Sequence, residues 1–100
     1  MNITKDAIAG TLESSDVLVR VSPSDTLQID ITSSVQAQYG DAIAALTEAE
    51  LAKLGVRSGH VVLQDKGALD CTLRARLEAA IMRSAGVAAN WDGLKGADDE

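Results

Sequence analysis

The chain has 100 residues and a formal charge of −6, nine basic side chains against fifteen acidic, which opposes binding to nucleic-acid phosphates or anionic lipid surfaces. Phe is absent and Tyr39 and Trp91 are the only aromatic residues, so base stacking is disfavoured, and Ala, Val, Leu and Ile must fill the core of one domain too small for a deep enclosed active site. A single cysteine, Cys71, and a single histidine, His60, exclude an internal disulfide and a zinc cluster, and no apolar run approaches the roughly 20 residues that cross a bilayer.

Residues Lys5 to Leu12 are strand-compatible, and Val17, Val19 and Val21 alternate with Leu18, Arg20 and Ser22 as a second strand. Between them Glu13 to Asp16 reads as an exposed turn with Ser14 and Ser15 at its tip. Ser22-Pro-Ser-Asp25 is a further turn signal, after which Leu27, Ile29 and Ile31 alternate with Gln28, Asp30 and Thr32. The first 32 residues therefore predict an antiparallel meander.

Ser33 or Ser34 is placed to cap a helix whose apolar face is Val35, Tyr39, Ala42, Ile43 and Leu46. Thr47-Glu-Ala-Glu50 resembles a capping box and predicts a bend or restart before Gly55 ends the helix. His60 to Gln64 is the fourth strand. Gly67 precedes a second helix with the stripe Leu69, Leu73, Leu77, Ala80 and Ile81, and with Asp70, Arg74 and Glu78 spaced as ion pairs. Gly86 stops it. Residues 1–86 are expected to be one domain, and 87–100 a mobile tail unless a partner holds Trp91. The order β-β-β-α-β-α predicts a small two-layer α+β domain, an antiparallel or mixed four-stranded sheet covered on one face by two helices.

The chain contains no Gly-rich phosphate loop, no helix with paired metal-binding histidines and no calcium-loop spacing, so no metal site is expected. The start Met-Asn-Ile-Thr-Lys-Asp lacks the basic and apolar regions of a signal peptide, and the expected location is the cytoplasm. Cys71 falls in the first turn of the second helix, where the dipole would favour a thiolate; buried structural cysteines are commoner, and it is assigned to structure. Arg74, Arg76 and Arg83 either meet an anionic group or form a solvated face with intrahelical pairs. His60 is read as a strand or surface residue and no residue is assigned a catalytic role. By composition alone, exposed serines in a turn usually satisfy backbone groups.

Four segments carry more information: Gly10-Thr-Leu-Glu-Ser-Ser-Asp-Val17, Ser33-Ser-Val35, Gly40-Asp-Ala-Ile43, and Asp65-Lys-Gly-Ala-Leu-Asp-Cys-Thr-Leu-Arg-Ala-Arg-Leu-Glu78. Together they strongly resemble the acyl carrier (gamma) subunit family of citrate lyase, from about Ala7 to Gly86. The resemblance implies that Ser14, directly after Glu13, carries a phosphodiester-linked 2'-(5''-phosphoribosyl)-3'-dephospho-coenzyme A. Ser15 is the neighbour to exclude, and it stands where a glycine often follows the modified serine. The carrier would have no active site of its own, because the working thiol belongs to the prosthetic group. Glu13 and Asp16, which repel the arm's phosphates, would keep the arm in solvent, be read by the enzyme that attaches it, or be a plain solvated turn.

The implied partners are the transferase (alpha) subunit, which exchanges acetyl for citrate on the thioester, and the lyase (beta) subunit, which releases oxaloacetate. A prosthetic-group transferase and an ATP-dependent ligase that acetylates the thiol complete the set. Neither nucleic acid nor membrane is expected as a partner. The rival readings are the carrier subunit of malonate decarboxylase, which fits the Asp65 to Glu78 segment less well, an unmodified interaction module using a sheet edge or Trp91, and a small enzyme with Cys71 as nucleophile.

Overall fold

Valine at every second position of Val17–Ser22 buries one face of that strand, with Val17, Val19 and Val21 at 3% exposure or less, and the same period buries Val61 and Leu63 in Gly59–Asp65. The computed structural model describes residues 1–34 and 36–87, with the backbone alone for 36–39. Val35, the Tyr39 side chain, Trp91 and the tail from residue 88 onward lie outside the described residues. The elements are β1 (Ala7–Gly10), β2 (Val17–Ser22), β3 (Leu27–Ser33), α1 (Gln36–Lys53), β4 (Gly59–Asp65) and α2 (Asp70–Ala85), the order that the sequence predicts.

The sheet order is β1-β2-β4-β3, which corrects the expected meander. β1 and β2 form an antiparallel hairpin, but β4 inserts between β2 and β3, antiparallel to the first and parallel to the second. Burial explains the choice. β4 hides alternate residues completely, whereas in β3 Ile29 and Ile31 are only half-buried and Gln28, Asp30 and Thr32 are exposed, so β3 belongs at an edge. Parallel pairing of β3 with β4 needs a crossover, and α1 supplies it.

One core joins both layers: Val17, Val19, Val21, Val61 and Leu63 of the sheet meet Leu51 of α1 and Leu73, Leu77, Ala80 and Ile81 of α2. Leu69 was expected in this stripe but is 70% exposed, because it is the N-cap of α2 and the helix begins one residue later. The break expected at Thr47 is also absent. Its hydroxyl donates to Ile43 O one turn back, at 2.8 Å, and α1 runs unbroken to Lys53. Both helices close with αL glycines: Val56 N–H donates to Leu51 O, and Val87 N–H to Met82 O.

The N-terminal segment is tied across the bottom of the molecule. The Met1 ammonium donates to Leu54 O (2.6 Å) and Thr4 Oγ1 to Ser84 O (2.6 Å). The fully buried Ser84 hydroxyl donates to Lys5 O and accepts from Lys5 N–H.

Candidate functional site

Gly10 and Val17 bracket the loop that carries Ser14. At Gly10 the backbone has φ 91, and a Cβ there would lie 1.8 Å from Val17 O, so only glycine lets the hairpin neck close this tightly. The chain then turns over Glu13–Asp16, with Asp16 N–H donating to Glu13 O at 3.2 Å. Ser14 and Ser15 are the central residues. Ser15 takes φ 64, the left-handed third position at which turns of this kind favour glycine. Ser15 fills that left-handed position at some strain.

Asp16 organises the turn from its inner side. Its carboxylate accepts from Thr11 Oγ1 (2.7 Å) and Val17 N–H (2.7 Å), and receives a two-pronged contact from Arg76 through Nε (3.1 Å) and Nη2 (3.2 Å). Thr11 Oγ1 in turn accepts from Glu13 N–H. The Thr11 hydroxyl first, then Arg76 and the Val17 amide, hold the Asp16 carboxyl at about 2, well below its ordinary 3.8. Asp16 is only 13% exposed, so it braces the turn and is not the solvated charge that one reading of the sequence expects; Glu13 is exposed.

The turn is also fastened to the loop before α2. Ser15 N–H donates to Lys66 O and Lys66 N–H to Asp16 O, both at 2.8 Å, which extends the β2–β4 ladder beyond the strands. That loop is set by Asp65, a buried carboxylate accepting from Ser33 Oγ, Gly67 N–H and Ala68 N–H. Ser33 therefore serves Asp65 with this hydroxyl, and Ser34 N–H donates to Asp65 O. Ser14 itself is exposed, and its hydroxyl makes no hydrogen bond among the described residues. A fixed backbone presents a free nucleophilic oxygen to solvent.

The remaining candidates fall elsewhere. Arg76 holds Asp16 and Arg83 Nη1 donates to Ile8 O at 2.7 Å, so two of the three α2 arginines are structural. Arg74 is exposed, and among the described residues the ion pairs are Asp16–Arg76 and His60–Asp30, not the helical pairs predicted around Arg74. His60 Nε2 lies 2.6 Å from Asp30 Oδ2 between adjacent strands, a surface strand residue as expected. Cys71 is exposed on the first turn of α2, which corrects its assignment to the buried structure. His60 pairs with Asp30, and no hydrogen bond joins it to Cys71 among the described residues. Among the described residues no group of His, Cys, Asp and Glu could hold a metal, and no helix is long and apolar enough to cross a membrane. The bracing by Arg76, sixty positions from Asp16, was missed because no local pattern joins them.

A small scaffold that displays two exposed serine hydroxyls, Ser14 and Ser15, on a braced turn has the geometry that a carrier needs, an attachment oxygen held on a fixed backbone and open to solvent. The comparisons agree. Residues 4–84 match the family model ACP, described as malonate decarboxylase delta subunit (MdcD). The citrate lyase acyl carrier protein of Haemophilus influenzae is 55% identical over 94 residues, covering 94% of this chain and 99% of the relative. That of Albidiferax ferrireducens is 52% identical over 98 residues, covering 95% and 100%. A chain in the crystal structure of a Pseudomonas malonate decarboxylase hetero-tetramer in complex with malonate superposes with TM-score 0.73 at 23% identity, covering 82% of this chain and 86% of that one, a likeness of fold. The chain belongs to the citrate lyase acyl carrier protein family and is a non-catalytic acyl carrier.

Proposed function

We propose that this chain is the acyl carrier subunit of a cytoplasmic citrate lyase complex and that Ser14 Oγ is the attachment point of a phosphoribosyl-dephospho-coenzyme A group. The observation that carries the reading is the exposed, unbonded Ser14 hydroxyl at the apex of a turn braced by Asp16, Arg76 and Lys66. The residues fit such a group. Nothing in the turn hydrogen-bonds the oxygen that must form the phosphodiester, and of the two carboxylates flanking the serines Asp16 is paired with Arg76 and turned inward while Glu13 is exposed. The group, when bound, supplies a terminal thiol for acyl exchange in the cleavage of citrate to acetate and oxaloacetate.

The chain's own task is to hold the attachment point still. Gly10, Asp16 and the Lys66 pairing fix the turn, so the two catalytic subunits, transferase and lyase, would meet an arm with a defined origin. Tethering replaces diffusion by an effective concentration near millimolar, provided the arm spans both sites. A prosthetic-group transferase and an acetate-activating ligase are the further partners this chemistry requires. The malonate decarboxylase alternative draws on the fold and on the family description, but relatives above 50% identity favour citrate lyase.

The test is intact mass and peptide mapping on the chain co-expressed with its prosthetic-group transferase. Wild type and Ser15→Ala should carry the adduct on the peptide containing residues 13–16, and Ser14→Ala should carry none. An adduct that survives Ser14→Ala and disappears in Ser15→Ala would move the site by one residue. An unmodified wild type from a competent host would end the carrier reading.

A further inference from the structure

Leu69 has no stabilising reason to be where it is. It occupies the N-cap of α2 at φ −71, ψ 158 with no side-chain cap hydrogen bond, and it is 70% exposed. Ser, Thr, Asp or Asn at that position would satisfy an amide left open at the helix start and would expose no apolar surface. Beside it lies a mostly apolar recess of about 620 Å3, with Ala42 and Ile43 of α1 on one wall, Gly67, Ala68, Leu69 and Cys71 on the other, and the carboxylates of Asp65 and Asp70 in its lining. That volume is in the range of small-ligand sites.

The recess opens next to the Ser14 turn. Lys66 pairs with Ser15 and Asp16 through two backbone hydrogen bonds, and the wall begins at the next residue, Gly67. We propose that the recess between α1 and the start of α2 is the resting place of the pantetheine and acyl end of the arm on Ser14, with Leu69 as its rim; the proposal rests on the carrier reading above. The alkyl surface of pantetheine matches Ala42, Ile43, Ala68 and Leu69 in character. Its anchor and the wall share one hydrogen-bonded loop, which makes the arm the occupant at highest local concentration. A tether supplies an effective concentration near millimolar, so even a contact of millimolar Kd is filled about half the time. Such a contact shields the acyl group from water between visits and yields to a partner's active site.

Cys71, exposed on the recess wall, is a built-in reporter. The full chain, 15N-labelled, is compared unloaded and loaded with the acetylated arm, loading being checked by intact mass; acetylation blocks the arm's own thiol. Loading should shift the amides of Ala42, Ile43, Leu69 and Cys71 as well as those of residues 13–16, and should slow iodoacetamide alkylation of Cys71 by about twofold or more. In Leu69→Ser, which supplies the missing cap and so does not unfold the helix, loading should leave the alkylation rate unchanged and confine the shifts to the turn. Loaded wild type with shifts restricted to residues 13–16 and Lys66 and an unchanged Cys71 rate would overturn the docking alone. A chain that leaves a competent host without the adduct would overturn the carrier reading and the docking with it, an outcome the mass distinguishes.

Discussion

Ser15 and Gly10 both sit at left-handed backbone positions, yet only one is a glycine. An L-residue there costs roughly 1–2 kcal/mol, of which a glycine returns part through its freer unfolded chain. Ser15→Gly should therefore stabilise the domain by about 0.5–1 kcal/mol in urea denaturation, whereas Gly10→Ala, which drives a methyl into Val17 O, should destabilise it by about 3 kcal/mol. Asp16 makes a second, pH-dependent statement. Its folded pKa, about 2, lies below the ordinary 3.8, so its contribution to stability is complete above the ordinary value and is lost as the pH falls through the folded one. The difference in Tm between wild type and Asp16→Asn should be largest near neutrality and should shrink from about pH 4 to about pH 2. A difference constant across that interval would mean that the Thr11 and Arg76 contacts are not made in solution.

Each element was legible in the chain because its period is local. The valines of β2, the isoleucines of β3 and the Leu73, Leu77, Ile81 stripe of α2 announce themselves over a few residues. What joins elements was not. Ser22-Pro-Ser-Asp25 reads as a hairpin turn, but nothing in it says that the strand after it must leave room for β4, whose pairing with β2 is fixed forty residues later by the deeper burial of Val61 and Leu63. The same limit applies to the site. Ser14 on an exposed turn was readable from composition and flanking alternation, while the clamp on Asp16 depends on Arg76 coming down from α2, and the exposure of Cys71 and Leu69 depends on α2 starting at Asp70. Thr47 misled for a physical reason of its own, since a threonine hydroxyl inside a helix satisfies itself on the carbonyl one turn back as readily as it caps a new start.

At the scale of the whole molecule α2 does two separate jobs. Its first half reaches the Ser14 turn through Arg76, and its last turn holds the N-terminal segment through Ser84, which is fully buried and both donates to and accepts from Lys5. A carrier profits from that division, because stability is gathered at one end of the helix while the attachment end stays braced but accessible. Ser84→Ala removes both side-chain hydrogen bonds to Lys5, which is exposed and able to bond water instead, so the expected loss is about 1–2 kcal/mol and not the penalty of a sealed polar group. Thermal unfolding should register that loss, and the extent of prosthetic-group loading at Ser14, read by intact mass below the unfolding range, should equal wild type. Loading that fell along with Tm would show that the Ser14 turn borrows its order from the far end of α2, and the bracing by Asp16, Arg76 and Lys66 would then be insufficient to set the origin of the arm.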